Sequence, residues 1–149
     1  MQEENGPDTV SPELDAMVGD LLGSLLDALA EGDDPGVLLA AEDAAANRYE
    51  ASFAEDGVEV CLRAAQQFVS HHASGIVSDE VGPLERYAIA YLGAIEDEDG
   101  TYLDAILASF HEHGQESGYS AYLLVDGIGK GDEFAWGEPQ PAGAEEPLI

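Results

Sequence analysis

The chain has 149 residues, of which 32 are acidic, four are lysine or arginine, and 45% are hydrophobic. Its length fits a single domain, and its formal net charge of -28 argues against nucleic-acid binding, because phosphate recognition requires clusters of basic side chains. The single cysteine, Cys61, excludes an intrachain disulfide. The chain begins without a secretory signal pattern and has no apolar run near the ~20 residues of a membrane span, so we expect a cytoplasmic protein.

Such an excess of carboxylates favours disorder in dilute solution, because like charges repel one another. At molar salt the Debye length falls to about 3 Å, and neighbouring carboxylates are then screened. A lysine-poor and acid-rich chain with clear amphipathic patterns resembles the general composition of proteins from halophilic archaea. This resemblance implies a haloarchaeal type of protein from a molar-salt cytoplasm, and it implies nothing about activity.

The first predicted helix follows a polar segment, 1–10, that has no periodicity and is expected to be a disordered acidic tail. Ser11 is a suitable N-cap, and Pro12 is suited to the first helical position. Apolar residues then recur at helical spacing: Leu14, Met17, Val18, Leu21, Leu22, Leu25, Ala28 and Leu29. On the opposite face, Gly19 and Gly23 are interpreted as tolerated exposed glycines rather than as a site of close helix approach.

A second helix is predicted over 37–53, because the Ala-rich start of this segment is a strong helix former. The alternative is a β-hairpin within 48–62. In that interpretation, apolar residues occupy every second position before and after a turn at 55–57. These residues are Tyr49, Ala51 and Phe53, followed by Val58, Val60 and Leu62.

The central helix is predicted over 56–73, with Asp56 as its N-cap and Gly75 after its end. Apolar residues cover about half of its circumference, which is typical of a helix with neighbours on more than one side. The residues of this arc include Val58, Cys61, Leu62, Ala65, Phe68, Val69 and His72.

A fourth helix is predicted from Leu84 to Ile95, and a fifth from Thr101 to Phe110, with the acidic stretch 96–100 between them. Both predictions depend on apolar residues at three- and four-residue spacing. The apolar run 119–125 is too short to distinguish helix from strand, and helix is preferred because no strand partner is evident. The remaining segment is expected to be a tail from which Phe134 and Trp136 fold back.

These elements predict an all-α protein, either a compact bundle or a helical-hairpin array of five to six helices. The domain organisation expected from them is an acidic N-terminal tail over 1–10, a helical domain over 11–127, and a Gly/Pro-rich acidic tail over 128–149.

Metal binding is considered and not predicted. The candidate ligands are Cys61, His72, His111 and His113. The histidines lack the i, i+4 spacing that places two ligands on one helical face. The acidic stretch 96–100 fails the EF-hand pattern, because Ile95 and Ile106 occupy positions that require carboxylates.

No catalytic or cofactor-binding residues are predicted. Cys61 lies mid-helix on an apolar face, which does not activate a thiol. The glycines around Lys130 lack the Gly and Ser/Thr positions of a P-loop. The expected function is therefore a non-catalytic protein-interaction or self-associating module, with a protein partner or homo-oligomer and without nucleic acid or membrane. The alternative is a small-ligand-binding protein or enzyme with a site near Cys61, His72, Tyr87 and Tyr91.

Overall fold

A computed structural model describes residues 11–54, 57–115, 118–145 and 148–149. This part of the chain forms a curled antiparallel β-sheet, a half-barrel, with 42% strand and two α-helices. The predicted all-α bundle or hairpin array of five to six helices is therefore wrong.

The helices are α1 (Pro12–Ala30) and α2 (Val58–His71). The strands are β1 (Val37–Asp43), β2 (Arg48–Phe53), β3 (Leu84–Glu96), β4 (Tyr102–Glu112), β5 (Gly118–Asp126), β6 (Ala135–Trp136) and β7 (Gln140–Glu145). Their order in the sheet is β2-β1-β3-β4-β5, and both β6 and β7 pair with β5. Every pair is antiparallel.

Helix α1 forms as its sequence predicts. The Ser11 side chain accepts a hydrogen bond from the Leu14 N–H, and Pro12 occupies the first turn. The buried face consists of Leu14, Met17, Leu21, Leu25 and Leu29. A Cβ atom built at either Gly19 or Gly23 would meet open space, as expected for exposed glycines rather than for close helix packing.

Helix α2 also forms within the predicted segment, although it is shorter at both ends. Gly57 occupies the N-cap position, and the expected cap Asp56 lies outside the described residues. Cys61, Ala65 and Val69 form its buried face.

The two helices lie on opposite faces of the sheet and create two cores. On the face covered by α1, hereafter the α1 face, the core includes Ala40, Ala88, Ile106, Leu123 and Phe134. On the other face, the α2 face, the core includes Leu39, Cys61, Val69, Tyr87 and Ile89. Because side chains alternate along a strand, β1 and β3 contribute to both cores.

The helix predicted over 37–53 is replaced by the hairpin of β1 and β2. Five of the seven residues of β1 are apolar, and helices cover both of its faces, so it shows none of the alternation of a half-buried strand. The alternative hairpin within 48–62 was correct for strand 48–53 alone. The partner of that strand is β1, because Val58 to Leu62 lie in α2.

The fourth and fifth predicted helices are strands β3 and β4, and the segment 119–125 lies in strand β5. Long-range pairing explains this outcome: β4 pairs with β3 from Arg86↔Glu112 to Glu96↔Tyr102. The strand partner that the sequence did not reveal for 119–125 is β4 itself.

The segment after Gly127 supplies β6 and β7, which extend the sheet beyond β5. Phe134 is 7% exposed and packs into the α1-face core, whereas Trp136 is 56% exposed. Leu148 and Ile149 pack on the α2 face, where the Leu148 N–H donates to the Tyr87 hydroxyl at 3.3 Å. Neither helix of the described chain is long and apolar enough to cross a lipid bilayer.

Candidate functional site

The sheet divides at one end of β4. The β4–β5 ladder runs from Phe110↔Tyr119 to Ala105↔Leu124, and the register stops there. Tyr102, Leu103 and Asp104 continue to pair with β3, while Val125 and Asp126 pair with β6. No β4–β5 pair continues beyond this point in the described chain, and a cavity of about 480 Å³ lies at this end of the ladder, lined by residues of β4, β5 and β6 and by Gly137.

We call this cavity the fork groove. It is lined by Tyr102, Leu103, Asp104, Leu124, Val125, Asp126, Ala135, Trp136 and Gly137. Its volume lies within the range of about 300–1,000 Å³ that is typical of ligand sites. None of these lining residues is basic, and two of them are aspartates.

The turns on either side of the groove are fixed by local sequence. Before β4, the Asp97 side chain accepts hydrogen bonds from the N–H groups of Asp99 and Thr101, both at 2.9 Å, and Gly100 has φ +81°. This is the structural role of the acidic stretch 96–100. Before β6, Gly127 has φ +82°, and a Cβ there would lie 2.8 Å from the Glu133 carbonyl oxygen. Glycine at this turn therefore lets β6 return alongside β5.

The groove gathers apolar side chains that remain in water. Its large exposed residues are Tyr102 (70%), Trp136 (56%), Leu124 (38%) and Leu103 (37%). In the described chain, three other large apolar residues are similarly exposed, namely Val58, Val60 and Val77. Contiguous exposed apolar surface rimmed by polar groups commonly marks an interaction site.

The register assigns the groove residues to two faces. Ile106 belongs to the α1-face core, so Tyr102 and Asp104 lie on that face by alternation. Trp136 pairs with Val125 of the same core and therefore shares the α1 face. Leu103, Leu124 and Asp126 lie on the α2 face by the same alternation.

A second polar cluster lies at the opposite end of β4, where two arginines hold buried carboxylates. Arg86 donates to Glu42 at 2.7 Å through Nη1 and to Glu112 at 3.0 Å through Nε. Arg48 donates to Glu42 at 2.7 Å and to Asp20 at 2.9 Å. Every Glu42 oxygen therefore faces an arginine, which suits a structural cluster rather than an acid or base poised for catalysis.

Burial alone would lower the pKa of the Arg86 guanidinium. The hydrogen bonds that Arg86 donates to Glu112 and Glu42 outweigh this effect, so the pKa of Arg86 is raised and its side chain stays charged. Ser11 donates to the same Glu112 oxygen at 2.8 Å, which connects the N-cap of α1 to β4. The cluster thus fixes the position of α1 against the sheet.

The candidate metal ligands that were considered do not form one cluster. Cys61 and His72 lie eleven residues apart along α2, about 16 Å at 1.5 Å per residue, and so cannot share one ion. The His72 ring instead stacks on Phe68 at 4.0 Å. His111 is buried beside Tyr87, at 6.0 Å between ring centroids, and His113 follows the end of β4. In the described part of the chain, no three His, Cys, Asp or Glu residues are placed to hold a metal.

The residues of the alternative small-ligand site share the α2 face but serve its packing. Cys61 and Tyr91 line a small cavity of about 170 Å³ near the start of α2. Tyr87 is 2% exposed beneath Leu148, and burial raises its pKa to about 12. Burial also raises the pKa of Tyr91. His72, at the other end of α2, completes no common site with them.

Sequence reasoning noted Trp136 but missed the fork groove. A single tryptophan in a Gly/Pro-rich segment was the available signal, because such segments rarely retain large aromatics without a packing or binding role. Tyr102 and Leu124 had no distinguishing pattern. Their proximity depends on where the β4–β5 register ends.

No protein-family model, curated protein or solved structure matches this chain. Its function must therefore be inferred from the geometry described above.

Proposed function

We propose that this protein is a non-catalytic protein-interaction module that binds an extended segment of a partner protein in the fork groove. The observation that supports this most directly is the exposure of Tyr102, Leu103, Leu124 and Trp136 around one cavity. Keeping such side chains in water costs hydrophobic free energy, about 25 cal/mol per Å² of apolar surface, which a bound partner would recover.

An extended occupant suits the backbone of the fork. Residues 102–104 of β4 have strand partners on the β3 side and no register partner in β5. Strand edges of this kind hydrogen-bond to an added strand, and pockets for alternate side chains then supply specificity. The apolar residues on both faces of the fork would contact alternate side chains of such a segment.

Charge complementarity favours a basic segment over a second copy of this chain. Asp104 and Asp126 are both exposed at the groove, and none of the residues lining it is basic. In a symmetric dimer through this surface, these aspartates would approach their own counterparts, and the net charge of -28 would be doubled. A cationic segment would instead be attracted and oriented by the same groups.

The test is affinity capture in molar KCl with wild type, with the double variant Tyr102→Ser/Trp136→Ser, and with the control Val77→Ser. Val77 is 91% exposed and lies away from the groove, so the control removes an exposed apolar side chain elsewhere. Captured proteins would be identified and purified, and their dissociation constants measured against all three chains.

We expect a partner with a basic extended segment, whose affinity falls at least about tenfold in the double variant and is unchanged in the control. A partner that binds all three chains equally would overturn the proposal. Light scattering that shows a wild-type dimer, converted to monomer by the double variant, would assign the groove to self-association instead.

A further inference from the structure

We infer that the α1 face of the fork groove contains a subsite for an arginine side chain of the partner, formed by Tyr102, Asp104 and Trp136. This inference rests on the proposed function, because it assigns a chemical preference to the same groove. It is derived from the placement of two aromatic rings and one carboxylate on a single face of the sheet.

Two strand pairs place the three side chains on the same face of the sheet. Tyr102 and Asp104 are two residues apart on β4 and project to the same face. Trp136 is placed on that face by its pairing with Val125, whose side chain is buried in the α1-face core. Tyr102, Asp104 and Trp136 also line the same cavity.

The Trp136 indole lies against a buried phenyl ring. Phe134 is 7% exposed and lies next to Trp136, with 5.9 Å between ring centroids and 38° between ring planes. Trp136 therefore packs against a buried ring on one side, while 56% of its surface remains exposed. A restrained aromatic ring loses little conformational freedom on binding.

Asp104 is exposed and, among the described residues, has no hydrogen-bond or ion-pair partner. Its carboxylate is therefore available to a ligand. This contrasts with Glu42, whose two oxygens are both engaged by arginine.

A guanidinium fits this set of groups better than an ammonium. Its plane stacks on aromatic faces, and its paired N–H donors match the two oxygens of a carboxylate. An ammonium binds a carboxylate mainly through its charge, so potassium at molar concentration competes with it. Stacking and directed hydrogen bonds do not depend on charge alone, so arginine recognition would persist in brine.

Asp126 provides an internal control. It lines the same groove and has the same charge as Asp104, but it projects to the α2 face. The variants Asp104→Asn and Asp126→Asn change net charge and general attraction equally. Only the first removes a carboxylate from the proposed subsite.

The test uses Trp136 as its own probe, because it is the single tryptophan of the chain. Its fluorescence would be titrated in molar KCl with two blocked tripeptides, one with arginine between two leucines and one with the neutral isostere citrulline. We expect the arginine peptide to bind at least about tenfold more tightly. Asp104→Asn should abolish this preference, and Asp126→Asn should retain it.

Equal binding of the two peptides would overturn the arginine subsite and leave the apolar docking surface intact. The arginine subsite would also be overturned if Asp104→Asn and Asp126→Asn lowered the preference for the arginine peptide equally. That result would indicate general electrostatic attraction. No change in Trp136 emission at millimolar peptide would also overturn the subsite. The capture experiment tests the interaction module separately. It measures whether the affinity for a partner depends on Tyr102 and Trp136, whichever residue of the partner contacts them.

Discussion

At the scale of single residues, Arg86 contributes to stability through a buried ion-pair cluster. Its side chain is 7% exposed and pairs with Glu42, which is 6% exposed, and with Glu112. Replacing Arg86 by leucine would leave Glu112 without its arginine and Glu42 with Arg48 alone, so we expect a loss of about 3–5 kcal/mol in the free energy of unfolding. Denaturant unfolding in molar KCl measures this loss.

The matched control for this prediction is Arg63→Leu, which removes an exposed arginine from α2. It should change the free energy of unfolding by no more than about 0.5 kcal/mol. A similar effect of the two substitutions would show that net charge, rather than the buried cluster, determines the contribution of Arg86.

Asp43 gives a prediction about pH. Its carboxylate accepts hydrogen bonds from the Gly82 N–H, from the Asn47 side chain and from the N–H groups of Asn47 and Ala45. Chiefly through the Gly82 bond, these lower its pKa from 3.8 to about 2. Because the folded-state pKa is the lower one, the stabilisation is complete above about pH 4 and is lost as pH falls towards 2.

Asp43→Asn should therefore lower the melting temperature near neutral pH, and its difference from wild type should shrink between about pH 4 and pH 2. Asp27→Asn makes the same charge change at an exposed position of α1 and serves as the control. A difference between wild type and Asp43→Asn that stays constant down to pH 2 would contradict the assigned hydrogen bonds.

At the scale of elements, the sequence located both α-helices, but it wrongly predicted neighbours on more than one side of α2, which packs through one face. Helix α1 has one apolar stripe, and its first turn contains the Ser11 cap and Pro12, so local chemistry determines it. Helix α2 packs on the sheet through Cys61, Ala65 and Val69. In both helices the 3.6-residue period is visible, because the opposite face meets water.

The strands were misassigned because the two helices cover opposite faces of β1 and β3. In β3, Ala88 and Ala90 face α1 while Tyr87 and Ile89 face α2, so the apolar run lacks period two. Its frequent alanines also favour helix by intrinsic propensity. The fork groove also depends on long-range pairing, because it lies where the β4–β5 ladder ends at the pair Ala105↔Leu124. Local sequence patterns could not predict this end point.

The β1–β2 hairpin has its own test at Gly36, which precedes β1. This glycine has φ +86°, and a Cβ there would lie 2.5 Å from the Phe53 carbonyl oxygen. Gly36→Ala should therefore destabilise the fold by about 1–3 kcal/mol. Gly23→Ala, in an open position of α1, should instead stabilise it by up to about 1 kcal/mol. Urea unfolding of both variants measures these effects. Two changes of the same sign would contradict the conformation assigned to Gly36.

At the scale of the whole molecule, repulsion among carboxylates adds to the conformational entropy that opposes this fold, because the net charge is -28. Two of the four basic residues, Arg48 and Arg86, pair with carboxylates that include the buried Glu42. The surface is therefore left with an uncompensated excess of acidic groups, whose mutual repulsion is removed only by salt. We expect the melting temperature, followed by circular dichroism, to rise steeply with KCl.

The shape of this dependence distinguishes screening from general salt exclusion. The Debye length falls from about 10 Å at 0.1 M to about 3 Å at 1 M, so most of the rise should occur below about 1 M KCl. Stabilisation by excluded solutes has no such plateau, and a sucrose series of equal osmolality provides the control. A melting temperature that is independent of KCl, or that rises equally in sucrose, would show that repulsion between carboxylates does not limit the stability of this fold.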